Sequence, residues 1–335
     1  MAVIFLYPKI DKVIGSPNPY IFNFQKALAK NHHVVNAKSP NRGILSFFTH
    51  FFKADLFILN WPETIPEKKF GSVQKKLFML FLKLAKAYSK KVVWILHNKG
   101  SHHKGENPVT KNMFDVLMAH SDYIITHSYA GKDFVSSAYP NYISKVHVIP
   151  HPLTEKIGEY RKGEKKFDFL IWGSIFPYKG IDVFLDYLRE TPELKNTKVL
   201  IVGKCSDTKY KSKILSILPE NAEFKDDLLS LEEIAAYSVQ AKFTLFTYKS
   251  QTVISSGSLI DSIRMGAIIL GPDHGAFRDM KDLAFMHTFK NFNEIPKIIS
   301  EFNPSDEQIE GDRNTFMNQN TWANFVEKIG NITGI

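Results

Sequence analysis

Cysteine is almost missing from this chain: among 335 residues only Cys205 is one, which excludes an internal disulfide and points to a reducing compartment, the cytoplasm. Long apolar runs are missing too. The opening MAVIFLYPKI has a hydrophobic stretch that ends within seven residues and no basic leader, so it reads as a buried first strand, not a signal peptide or membrane span. No G-x-G-x-x-G follows that strand and no G-x-x-x-x-G-K-[ST] occurs, which takes weight from dinucleotide redox and P-loop ATPase chemistry. Internal repeats and low-complexity tracts are also absent.

What is present is the composition of a soluble globular protein, 44% apolar and 23% charged, at a length that suits two domains. The net charge of +9 is unevenly spread. Residues 1–155 hold 20 Lys+Arg against 9 Asp+Glu, and residues 156–335 hold 23 against 25, so the parts carry +11 and −2. That asymmetry suggests a first half that meets an anionic surface: a membrane leaflet, a nucleic acid or a polyanionic substrate.

Short runs rich in Val, Ile and aromatics (VIFLY, HHVVNA, LFILNW, KKVVWILHN, YIITHS, KVHVIP) alternate with stretches of helical period such as NPYIFNFQKALAK and SVQKKLFMLFLKLAKAYSK. Such alternation implies a parallel sheet covered on both faces. After the charged EYRKGEKK it begins again with FDFLIWG, KVLIVG, FTLFTY and AIILG. The expected architecture is α/β, with two Rossmann-like doubly wound domains and a cleft between them: residues 1–155, residues 156–315, and a C-terminal helix in 316–335 with the first domain as its candidate surface. In such sheets ligands bind outside the carboxyl ends of the strands.

VISSGSLIDSIRMG lies between two strand-like runs. Ser255, Ser256, Gly257 and Ser258 open a helix there, leaving backbone N–H groups unpaired at its positive end, a place for an anion. Ser and Gly are also ordinary helix starters that bind nothing.

WGSIFPYKGIDVFLDYL, VLIVGKC and SLIDSIRMGAIILGPDHGAFRDM together resemble the donor-binding domain of the GT-B glycosyltransferases, in particular the large retaining group that includes family 4. WILHNKGSHH, SDYIITHS and VIPHP resemble the first-domain motifs of the same enzymes, so the likeness covers nearly the whole chain. The resemblance implies a sugar transferase using a nucleotide-diphosphate donor of UDP or GDP type, with no cofactor and no metal. Lys179 falls on the lysine that contacts the diphosphate, where an ammonium neutralises charge on the leaving group. The accompanying arginine is here Ser174, and Lys204, Lys249 and Arg264 are candidate substitutes. Asp261 falls on the second glutamate of the E-x7-E motif, which holds the ribose; the first is Val253, so the sugar contacts fall to residues 248–252. Ser255 to Ser258 occupy the turn that lays N–H groups against the phosphates. The AEFKDD turn implies base recognition at Phe224, Lys225 and Asp226.

In the first domain the resemblance places His97 against the sugar, with Asn98 and His102 beside it. Gly15, Asn18 and Tyr20 lie in or next to the loop after the first strand, which approaches the donor phosphates or the acceptor. Glu63, in WPE, is the acid most obviously at a strand end; an inverting enzyme needs a general base, which Glu63, Asp11 or Glu106 can supply, whereas a retaining one can use the departing phosphate. A zinc site at His97, His102, His103 and Glu106 ranks below sugar binding, since the spacing lacks the i, i+4 pairing and no cysteine is near.

Phe47, Phe48, Phe51 and Phe52, with the lysine-rich helix at 72–91, admit two readings: a buried amphipathic helix whose lysines face water, or a peripheral membrane face. The second implies a lipid-linked saccharide acceptor, cell-surface polysaccharide or glycolipid synthesis, and a place at the inner face of the membrane. A catalytically degenerate nucleotide or sugar binder is the alternative, and a nucleic-acid binder ranks lower because no such motif occurs.

Overall fold

The computed structural model describes residues 1–9, 20–40, 42–99, 108–158, 164–249 and 253–335, with the backbone alone at 108–110. The chain forms two compact units. The first holds Met1–Pro152, Val253 and Ile254, and Thr321–Ile335; the second holds Leu153 onward and Ser255–Asn320.

The first unit contains strands β1 (Val3–Tyr7), β2 (His33–Val34), β3 (Leu56–Asn60), β4 (Lys91–Leu96), β5 (Tyr123–Thr126) and β6 (Val146–Val148), with helices α1 (Tyr20–Asn31), α2 (Leu45–Thr49), α3 (Gly71–Ala87), α4 (Pro108–His120) and α5 (Tyr129–Ala138). All described pairings are parallel, in the order β2-β1-β3-β4-β5-β6. Every residue of β3 is buried, as a strand covered on both faces requires. Phe5, Phe47, Phe57, Phe78 and Phe81 fill one face; Ile4, Leu6, Phe24 and Ile58 fill the other.

The second unit contains β7 (Phe167–Trp172), β8 (Val199–Val202), β9 (Ala222–Lys225), β10 (Ala241–Leu245), β11 (Ile269–Pro272) and β12 (Met286–Phe289). Its helices are α6 (Ile181–Glu190), α7 (Thr208–Ile217), α8 (Leu231–Gln240), α9 (Gly257–Arg264), α10 (Gly275–Asp279), α11 (Ile295–Glu301) and α12 (Asp306–Gln319). The sheet is again parallel, in the order β12-β11-β10-β7-β8-β9. Leu153 N–H donates to the Asn320 carbonyl at 3.0 Å, so the unit starts and finishes at one place. Strand order reverses between β1 and β3 in one sheet and between β7 and β10 in the other, and those reversals open the crevices where such sheets bind ligands.

A last helix, α13 (Trp322–Thr333), belongs to the first unit. Thr321 caps it by accepting from Asn324 N–H. Trp322, Phe325, Val326 and Ile329 are buried with Phe24 and Leu28 of α1. At roughly 1.5–3 kcal/mol for each such side chain, an upper estimate, that stripe is enough to hold the helix there. Among the described residues no helix is long and apolar enough to cross a membrane.

Candidate functional site

In the second unit the chain leaves β7 through Gly173 at φ 97, and a short turn at Pro177–Lys179 ends on Gly180 at φ 70. A Cβ on Gly180 would strike the Thr247 carbonyl oxygen, so only glycine lets this turn close on the end of β10. Thr247 Oγ1 donates to the Lys179 carbonyl at 2.6 Å and fixes it there. The Lys179 side chain then folds back over the strand end, where Nζ donates to the Trp172 carbonyl at 3.1 Å. A Cβ on Gly173 would stand 2.9 Å from Lys179 Nζ and 3.0 Å from Ser258 Oγ, so its missing side chain leaves room between the ammonium and the start of α9.

Lys179 is 4% exposed, and among the described residues no carboxylate pairs with it. Burial pulls its pKa from 10.5 to about 8. Facing it, Ser256 precedes α9 in extended conformation and its side chain does not cap the helix; its Oγ lies 2.9 Å from the Tyr248 hydroxyl. Ser255 Oγ is buried with no partner among the described residues. Ser262 Oγ accepts from Trp172 Nε1 at 2.9 Å and donates to the Ser258 carbonyl at 2.8 Å, tying the helix to the strand. A buried cation beside an uncapped helix start gives this place a positive potential that favours a negative charge.

Asp261 lies one turn into α9, and Arg264 Nη1 stands 2.5 Å from its Oδ1. Burial outweighs that cation and raises the Asp261 pKa from 3.8 to about 6. Arg264 also donates to the Glu155 carbonyl. Lys249 pairs at 2.8 Å with Asp182, which also accepts from Lys213 at 2.6 Å and from the Tyr210 hydroxyl at 3.0 Å. Burial works to raise the Asp182 pKa, but these donors bring it down to about 2. Lys204 lies 3.5 Å from Asp226, which accepts from Cys205 N–H at 2.8 Å and Lys211 at 2.6 Å. All three candidate substitutes for the missing arginine thus have carboxylate partners. Lys225 donates to the Tyr237 hydroxyl at 3.1 Å, Phe224 is half-buried, and Ser174 is exposed in the loop after β7. Beside Tyr248 a cavity of about 440 Å³ opens, lined in part by Thr247, Lys249, His274, Lys290 and Asn291.

A second constellation sits in the first unit, at the carboxyl ends of β3, β4, β5 and β6. Asn60, fully buried, donates through Nδ2 to the Tyr7 carbonyl at 3.0 Å, so its Oδ1 faces His97 Nε2 at 3.0 Å. The amide therefore sets the tautomer: His97 carries its proton on Nε2 and its lone pair on Nδ1. Trp61 stacks on the His97 ring at 4.2 Å and Tyr20 meets it edge-on at 5.0 Å. His127 donates from Nδ1 to the Ile149 carbonyl at 3.0 Å, and its Nε2 lies 3.0 Å from the Tyr20 hydroxyl, from which it accepts. Burial, then His127 and His151, hold His97 well below 6.5; burial first also pushes His127 to about 3 and His151 to about 4. Both His127 nitrogens are used within the protein, so what this cluster of neutral imidazoles has to offer a ligand is His97 Nδ1 and the faces and edges of its aromatic rings.

Glu63 is placed differently. It is 6% exposed, Oε2 has no partner among the described residues, and burial lifts its pKa from 4.5 to about 7. Asn98 forms an isolated antiparallel bridge with Val253, and Ile254 is buried in the first unit's core, so part of the 248–258 segment belongs to each unit. Gly15, Asn18 and His102 lie outside the described residues, as do Asp11, His103 and Glu106. Among the described residues no group of three or more His, Cys, Asp or Glu side chains is placed to hold a metal ion. Sequence reasoning missed Asn60, Trp61, His127 and His151 as site residues. The signal was present, since N-W, H-S and H-P each directly end an apolar run.

No protein-family model matches the chain, and no curated protein does. Solved structures do match. Anabaena HepE in complex with UDP is 13% identical with a TM-score of 0.66, and the match covers 100% of each chain. The two-unit fold is that of the GT-B glycosyltransferases. An alpha-glucosyltransferase in complex with UDP is 12% identical over 99% of each chain, with a TM-score of 0.60. A S. aureus TarM variant with UDP and alpha-GlcNAc-glycerol is 14% identical over 86% of this chain and 58% of its own, with a TM-score of 0.60. At such identities the likeness concerns the GT-B fold.

Proposed function

We propose that this GT-B chain is a glycosyltransferase that moves a sugar from a nucleotide-diphosphate donor to a saccharide acceptor. The observation that carries the reading is the buried Lys179 ammonium, without a carboxylate partner among the described residues, at the open start of α9. A diphosphate supplies the missing counter-charge, and the α9 amides add donors. In the reaction an acceptor hydroxyl attacks the anomeric carbon. The bond from that carbon to the β-phosphate oxygen breaks, its electron pair leaves with the diphosphate, and Lys179 stabilises the charge that develops. The acceptor approaches from the face that the phosphate leaves, so configuration is retained and its proton passes to the departing phosphate without a protein base. In the second unit Asp261 accepts from the ribose hydroxyls and the 224–226 turn meets the base; in the first unit, taken by itself, His97 Nδ1 is an acceptor available to a sugar hydroxyl. The UDP carried by the solved neighbours supports the choice of a uridine donor.

One observation favours a second reading, a nucleotide binder without turnover: Lys204, Lys249 and Arg264 each pair with a carboxylate, leaving Lys179 as the principal phosphate cation. A thermal-shift panel of UDP, GDP, CDP, ADP and TDP tests the site, because a ligand at a hundred times its Kd stabilises the native state by about 2.7 kcal/mol. Selective stabilisation by one nucleotide is expected, and none by any of the five rejects both readings. Release of sugar from the matching nucleotide sugar then separates enzyme from binder.

A further inference from the structure

We infer that the outward stripe of α3, together with Phe52, is a docking surface for an anionic lipid bilayer. This helix carries two apolar stripes where a surface helix needs one. Phe78, Phe81, Leu82 and Ala85 are buried in the core of the first unit. A second line runs from the residue before the helix to the residue after it: Phe70, Val73, Leu77, Leu80, Leu84 and Tyr88, spaced three or four residues apart; Leu77 and Leu84 are half-buried and pack against the core, so the outward part of the line is Phe70, Val73, Leu80 and Tyr88. Phe70 is 73% exposed, Val73 57%, Leu80 47% and Tyr88 55%. Phe52, 74% exposed, meets Tyr88 edge-on at 5.7 Å and extends the line beyond the helix. The other phenylalanines of that segment do not contribute, since Phe47 and Phe51 are buried in the core and Phe48 packs against it.

The charge along the stripe has one sign. From Lys68 to Lys91 there are eight lysines and no Asp or Glu. At about 100° per residue, Lys69, Lys76 and Lys83 run along one edge of the apolar line, and Lys69 Nζ lies 5.3 Å from the Phe70 ring centroid. Aromatic and aliphatic side chains beside a lysine row match the boundary between acyl chains and anionic headgroups. A second copy of the chain fits poorly, because pairing two such stripes sets lysine against lysine. A nucleic acid fits poorly as well: Val73 and Leu80 gain nothing from phosphates, and stacking on bases uses aromatics alone.

The test is flotation of the full chain with vesicles of phosphatidylglycerol and phosphatidylcholine, against vesicles of phosphatidylcholine alone. The wild-type protein is expected to float with the anionic vesicles at low salt and to be released as salt rises. Leu80→Glu, Phe70→Ser and the pair K76E/K83E change exposed positions, so thermal midpoints should hold. Each single variant is expected to lower partitioning at least roughly tenfold, and the lysine pair roughly a hundredfold or more. Protein left at the bottom with anionic vesicles at low salt overturns the inference, as does equal flotation with phosphatidylcholine alone. Tighter binding to a short DNA duplex, or a dimer in sedimentation that Leu80→Glu dissolves, reassigns the surface and also overturns it.

Discussion

Replacing Lys179 by methionine should make the free protein more stable and its nucleotide complex weaker. The ammonium is 4% exposed with no carboxylate partner among the described residues, and burial brings its pKa from 10.5 to about 8, a difference worth about 3 kcal/mol. That penalty is borne in full below pH 8. Between pH 8 and 10.5 the folded side chain has released its proton while the unfolded one keeps it, so wild-type stability rises with pH across that window. Methionine fills similar space without charge. Its loss of the hydrogen bond to the Trp172 carbonyl costs about 0.5–1.5 kcal/mol, so a net gain of roughly 2 kcal/mol is expected at pH 7. The same substitution removes the cation that a diphosphate needs, so saturating UDP, which stabilises the wild-type protein, should leave the variant's midpoint unmoved. Turnover, where measured, should fall at least roughly a hundredfold. Urea denaturation at pH 7 and pH 10, with and without UDP, reads all of this. A variant less stable than wild type that is still stabilised by UDP would refute the reasoning, since the ammonium would then be held by the protein itself and not await a ligand.

Asp261→Asn follows the same logic with opposite sign in pH. Its folded pKa of about 6 stands above the ordinary 3.8, so the acid lends stability that is lost as pH rises from about 4 to 6; the amide should remove that dependence and weaken UDP binding ten- to a hundredfold by calorimetry, with equal affinity the contrary result. Glu63→Gln should leave stability unchanged near pH 4.5 and raise it by roughly 1–3 kcal/mol at pH 8, because the buried carboxyl ionises only near pH 7. Preserved sugar transfer in that variant agrees with a retaining route, and complete loss would instead assign Glu63 as the base. Asn60→Asp places a carboxylate beside His97 Nε2, 3.0 Å away in the present geometry, and should lift the imidazole pKa into the range that NMR titration can follow; a His97 that still resists protonation at pH 5 would mean that residue 60 does not govern it.

Much of the candidate site in the second unit is legible because its parts lie close in sequence. Gly173, Lys179 and Gly180 fall within one strand-to-helix loop, and Ser255 to Asp261 within one helix start, so spacing alone conveys their order. The fate of their charges is not legible. Lys249, Arg264 and Lys204 look like free cations in the sequence, but Asp182, Asp261 and Asp226 take them up. Two of those three pairs join residues far apart in the chain, and an ion pair depends on distance in space. The histidine constellation is hidden for the same reason: Tyr20, Asn60, His97, His127 and His151 end or follow different strands and meet only where a parallel sheet aligns its carboxyl ends.

By itself the sequence determined the alternation of strand and helix, the parallel sheets that alternation requires, and the glycines and serines that shape the loops at their carboxyl ends, because local sterics and hydrophobic period act over a few residues. Tertiary structure alone decided which charges are neutralised, that among the described residues no carboxylate pairs with Lys179, that Glu63 is buried, and that Phe70, Val73, Leu80 and Tyr88 along α3 stay exposed. Those outcomes turn on burial and on distances between segments that the chain brings together only when it folds.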